Sequence, residues 1–106
     1  MLDLLRYECA DGTVPIEQWL SKLRDRTAQA RIRMRLTQLR AGNFGDCASV
    51  GEGVIELRIH IGAGHRVYCA RYGHAIVLLL CGGDRHSQPT DIQRAKEFWK
   101  LWKRSV

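Results

Sequence analysis

The sequence predicts an α+β domain of order β-α-α-β-β-β-α, in which a helical hairpin packs on a mainly antiparallel four-stranded sheet and a C-terminal helix closes the chain. Three observations predict it. Apolar residues recur every three or four positions between Ile16 and Leu39, the period of amphipathic helices. Residues Val54 to Ile61 instead alternate strictly, the period of a half-buried strand. Ala75 to Cys81 is apolar without alternation, as in a strand covered on both faces.

Leu2, Leu4 and Leu5 predict a short opening strand that ends in a turn at Asp11-Gly12. Pro15 favours a helix start, and Ile16, Trp19, Leu20 and Leu23 form its apolar stripe. A second helix is expected from Thr27 to Leu39, with Ala28, Ile32, Leu36 and Leu39 inward and Arg31, Arg33, Arg35 and Arg40 outward. Gly42 and Gly45 stop it. In the hairpin that follows, Gly62 to Gly64 are expected as a three-residue loop. Ile59 then pairs with Val67, Leu57 with Cys69, His60 with Arg66 and Arg58 with Tyr68. Tyr72 to His74 turn the chain into the oily strand, which is expected to emerge at the sheet end holding Val54 and Tyr72, with Gly82-Gly83 as the bend. Thr90, with Gln93 three residues on, reads as the N-cap of the last helix. Its apolar stripe is Ile92, Ala95, Trp99 and Trp102.

A chain of 106 residues suits one domain, 1–106, with a real core and no linker. The longest apolar run, Ala75 to Cys81, is seven residues, far short of the roughly 20 of a membrane helix. The N-terminus has no basic segment ahead of an apolar block, so no secretory signal is expected. Cys9, Cys47, Cys69 and Cys81 show no metal spacing, which leaves a reducing cytoplasm as the simplest setting and predicts neither metal nor cofactor. Net charge is +6, and 13 of the 17 cations are arginine, the residue best suited to bidentate phosphate contact. That balance fits a polyanionic or acidic partner and also fits a solvated basic surface. The glycine-rich segment before Val54 lacks the lysine-threonine ending of a phosphate-binding loop.

The polar face of the hairpin is the main candidate site. Arg58, His60, Arg66 and Tyr68 on adjacent strands cannot all be buried without partners. Cross-strand neighbours stand roughly 5 Å apart, a spacing that suits a phosphate. Arg85, His86 and Gln88, in the connection to the last helix, are placed to fold back over this face, where a helix N-terminus also favours an anion. The alternative is an open, solvated sheet face with a Glu56–arginine salt bridge.

The blocks WLSKLRD, GNFGD, GVIELRIHIGAGHRVY and IVLLLCGGDRHSQPTDI, in this order, resemble the RelE/ParE superfamily of bacterial type II toxins. The similarity is greatest to the HigB-like branch, the addiction module killer proteins, and spans almost the whole chain. The resemblance implies a RelE-like fold, a ribosome-dependent mRNA endonuclease needing no cofactor, and a cognate antitoxin, expected to be a helix-turn-helix protein. Arg58, Arg66 and Arg85 match the family's basic positions, and Gln88 its loop glutamine. Arg85 stands where lysine is usual, His65 replaces a tyrosine, and His86 a small polar residue. With Arg58, Arg66 and Arg85 around the phosphate, the base for the RNA 2′-hydroxyl is His60, His65 or His86. His86 ranks first for the reach of its loop, while His60, His65, Tyr68 and Gln88 are expected to line the RNA. A toxin that poisons DNA gyrase by binding, or an inert antitoxin-binding member, would share the fold.

Overall fold

The computed structural model describes all 106 residues. Its elements are β1 (Asp3–Arg6), α1 (Pro15–Lys22), α2 (Arg26–Arg40), β2 (Cys47–Gly51), β3 (Val54–Ile59), β4 (His65–Tyr72), β5 (Ile76–Gly83) and α3 (Gln88–Ser105). The α+β class therefore holds, but the sheet has five strands, in the order β1-β5-β4-β3-β2, instead of the expected four. The additional strand, CASVG, is a short edge that pairs antiparallel with β3. It is too brief, and its side chains too small, to show an alternating pattern. The sheet is mixed: β1 runs parallel to β5, and the other three pairings are antiparallel.

Local chemistry sets the helix ends. Pro15 opens α1. Asp25 caps α2 by accepting from the backbone N–H of Thr27 at 2.9 Å and of Ala28 at 3.2 Å, which satisfies two donors that a helix start leaves free. The Gln29 side chain donates to the Leu23 and Leu20 carbonyls, so the start of α2 is tied to the end of α1. The last helix begins at Gln88, two residues before the expected cap Thr90. The reason lies in Asp84, whose carboxylate accepts from the backbone N–H of His86 at 2.8 Å and of Ser87 at 3.2 Å. That folds the turn early, and Pro89 fits the first turn of the helix.

Helices cover both faces of the sheet. Ile16 from α1 and Ile32 and Leu39 from α2 pack on Leu57, Ile59, Val67, Cys69, Val77 and Leu79. On the opposite face Ala95 and Trp99 of α3 pack on Val54, Tyr68, Ala70, Leu78 and Leu80. Buried in this way, the thiols of Cys69 and Cys81 are pushed up to about 12 by desolvation. No helix is long and apolar enough to cross a membrane.

The hairpin register differs from expectation by two residues. Ile59 pairs with His65, Arg58 with Arg66, Leu57 with Val67 and Glu56 with Tyr68. A shift of two keeps every side chain on its expected face, because the pleat repeats every two residues; the loop simply lengthens, and His60 and Ile61 leave the ladder. The exit of β5 is also corrected. A strand antiparallel to β4 ends where β4 begins, so Gly83 lies beside Arg66, at the end opposite Val54 and Tyr72. Gly82 and Gly83 are strand residues that pair with Val67 and Arg66, and do not form the bend. A bulge at Tyr68/Cys69 turns Gly82 toward α1 and Gly83 toward α3. A Cβ on Gly82 would overlap the Trp19 indole, and one on Gly83 the Asp91 and Ser87 side chains.

Candidate functional site

Beyond the first turn of α3 the sheet face is polar, and its centre is Glu56. Glu56 lies on the α3 side of β3 and is 1% exposed. Four neighbours meet its carboxylate. Arg58 Nε donates to Oε1 at 3.1 Å, Tyr68 Oη to Oε2 at 2.9 Å and Gln88 Nε2 to Oε2 at 2.8 Å. Arg66 Nε stands 3.5 Å from Oε2. Burial alone would raise the carboxyl pKa, but the hydrogen bonds from Gln88, Arg58 and Tyr68 and the charge of Arg66 outweigh it and hold it below the usual range. Glu56 is thus an ionised acceptor with its lone pairs committed. Burial and the same carboxylate drive the Tyr68 phenol upward, so it stays a donor.

Two cations converge at the tip of this face. The Arg66 guanidinium is 14% exposed and donates from Nη1 to the Gly64 carbonyl at 2.9 Å. A Cβ on Gly64 would stand 3.2 Å from Arg85 Nη2 and 3.7 Å from Arg66 Nη1. A Cβ there would ask exposed Arg85 to shift slightly, but it is the φ of 76° that favours glycine at position 64. The ion pairs of the site involve Arg58 and Arg66, whereas exposed Arg85 enters none. Three guanidiniums against one buried carboxylate leave a surplus of positive charge at this sheet end.

A second acidic group borders it. Asp46, just before β2, bonds to His60 Nε2 and lies 4.0 Å from Arg58 Nη1. Its backbone carbonyl accepts from the Arg58 N–H at 3.0 Å and from Arg35 Nη2 at 2.9 Å. The hydrogen bond from His60 keeps the Asp46 carboxyl below the usual range.

The structure brings Arg58, Arg66, Arg85 and Gln88 to one sheet end. Tyr68 is fully buried and reaches the site through Glu56. His60 is 71% exposed, beside Arg58. His65 is elsewhere: neighbours along a strand point to opposite faces, so it is buried under α1 with its ring centroid 6.1 Å from that of Trp19. His86 is exposed, and its backbone N–H, not its ring, is held by Asp84. Sequence reasoning missed the central place of Glu56 and the part of Asp46. A carboxylate two residues before Arg58 on the same strand face was the available signal for the first. The second depends on the unforeseen strand β2.

Fold and site together define a class: a mixed-sheet α+β domain with an arginine cluster anchored on a buried carboxylate. No protein-family model matches the sequence. The chain is 48% identical over 84 residues to a Haemophilus influenzae protein named "Uncharacterized protein", a similarity covering 79% of this chain and 85% of the other. The chain belongs to the family of that Haemophilus protein.

Proposed function

We propose that this protein is the toxin of a bacterial type II toxin–antitoxin system, a RelE/ParE superfamily member of the HigB-like branch that cleaves mRNA on the ribosome. The observation that carries this reading is the gathering of Arg58, Arg66 and unpaired Arg85 at one sheet end. Such a cluster suits a phosphodiester. RNA supplies its own nucleophile: the 2′-oxygen loses its proton and bonds to phosphorus, and the P–O5′ bond breaks. The 5′-oxygen leaves with a proton from water, and the other product carries a 2′,3′-cyclic phosphate. Arg58 and Arg66, held by Glu56, orient the phosphate, and Arg85 offsets the charge that grows on it. The partners under this reading are mRNA, the ribosome and a cognate antitoxin, all in the cytoplasm.

Induced expression in bacteria tests it. Arg85→Ala touches no ion pair, so it should keep its melting temperature and lose on the order of 10²–10³ in cleavage rate. Growth arrest and ribosome-dependent breaks seen by primer extension should disappear together. Gyrase–DNA cleavage complexes without mRNA breaks, or full arrest by Arg85→Ala, would overturn the proposal.

A further inference from the structure

Three histidines, His60, His65 and His86, lie close in the chain to the arginines of the site, and their surroundings separate them. His65 is buried on the far face against Trp19, with no route to a bound strand. His86 is exposed on the turn before α3, and no side chain orients its ring. His60 is different. Its Nε2 is bonded to the Asp46 carboxylate, whose other oxygen lies 4.0 Å from Arg58 Nη1. One carboxylate therefore spaces an imidazole from a phosphate-binding guanidinium. Both side chains are open to a ligand, His60 at 71% and Arg58 at 40% exposure.

We infer that His60 is the general base of the reaction and that Asp46 is the residue that positions it. This rests on the nuclease reading above and goes further by naming the group that takes the proton. A carboxylate accepting from Nε2–H fixes the tautomer, so the Nδ1 lone pair faces away from Asp46. Nδ1 takes the 2′-hydroxyl proton as the 2′-oxygen bonds to phosphorus. The imidazolium later returns that proton to solvent. Glu56 cannot do this, because its oxygens already accept from Arg58, Tyr68 and Gln88. The charged groups around the dyad are Asp46, Arg58 and Arg35, with Asp25 of the α2 start beside the Gly62 loop. The hydrogen bond from His60 holds the Asp46 carboxyl below its usual range and keeps it anionic near neutral pH.

Single-turnover cleavage of an mRNA programmed on 70S ribosomes tests the assignment. His60→Ala should lose ~10²–10⁴-fold in rate and recover part of the rate in added imidazole. Asp46→Asn should lose less and gain nothing from imidazole. His86→Ala should cleave as the unaltered protein does. All three changes are at exposed positions, so the melting curves should coincide. Cleavage by the unaltered protein with His60→Ala undiminished sinks the assignment alone, as does a loss that imidazole does not restore. An unaltered protein that cleaves no ribosome-bound mRNA, or that cleaves at a 2′-deoxy nucleotide, overturns the nuclease reading and His60 with it.

Discussion

Glu56→Ala is the substitution that most directly tests how this site is held. It removes the acceptor of Arg58, of a buried phenol and of an amide, and the ion-pair partner of Arg66. Removing one partner of a buried ion pair costs about 3–5 kcal/mol, and a buried hydroxyl without an acceptor about 1–3 kcal/mol. Arg58 is 40% exposed and water can replace most of what it loses, so its share is small. Arg66 and Tyr68 are covered and carry most of the loss. Because one carboxylate serves them all, the terms overlap and sum to about 4 kcal/mol. A domain of this size has roughly 5–15 kcal/mol in total, so the variant should be folded but fragile. Its melting temperature should fall by roughly 15–30 °C.

Urea unfolding followed by the fluorescence of the three tryptophans measures this. Glu56→Gln keeps an acceptor and the shape, and should cost about half as much. In a double-mutant cycle Tyr68→Phe should cost about 1–2 kcal/mol in the parent and clearly less beside Glu56→Ala, since the hydroxyl has then already lost its acceptor. A Glu56→Ala midpoint within about 1 kcal/mol of the parent, or strict additivity in the cycle, would refute the idea that this carboxylate holds the site together.

Two further outcomes follow from the same geometry. The folded-state pKa of Glu56 lies below the ordinary value, so its contribution to stability is complete above the unfolded value of about 4.3. It is lost as pH falls through the lower folded value; Glu56→Gln should flatten that part of an acid-unfolding curve relative to the parent. Gly82→Ala drives a methyl into the Trp19 indole and should cost about 1–3 kcal/mol. Trp19→Ala in the same chain should recover part of that loss, as seen in the urea midpoint, because it removes the ring the methyl meets.

Periodicity carried the fold as far as it could. The helix stripes and the alternation from Val54 to Ile61 depend on local spacing; the helices stand in the structure, and the strand stands as far as Ile59. The two-residue register error shows what spacing omits: alternation settles which face a side chain takes, while loop geometry settles which partner it meets. The glycine pair Gly82-Gly83 was misread for a related reason. Their lack of side chains answers to Trp19 and Asp91, which arrive from α1 and α3. Nothing within the local string distinguishes that need from a bend. The arginines of the site were legible because charges on a strand face must find partners. Which residue partnered them was not, since Glu56 meets Gln88 across 32 positions of sequence.

That long-range bond also bears on how the unpaired cation would serve the proposed function. An exposed arginine on a turn ordinarily spends its time in many rotamers, and ordering it on a phosphate costs entropy. Here the turn is fixed at both ends: Gly83 is paired to Arg66 in the sheet, and Gln88 is bonded to Glu56. Between them Asp84 holds the backbone through two N–H groups. Burial raises the cost of its charge, but those two bonds more than compensate and keep the carboxyl below its usual range. The backbone beneath Arg85 is therefore placed before any ligand arrives, and only the side chain has freedom to lose. Glu56 then acts on all three guanidiniums, directly on Arg58 and Arg66 and through the Gln88 anchor on Arg85. The same carboxylate that stabilises the sheet end also sets the spacing of the cations, so under the proposed nuclease function a loss of stability and a loss of phosphate binding should appear together when it is removed.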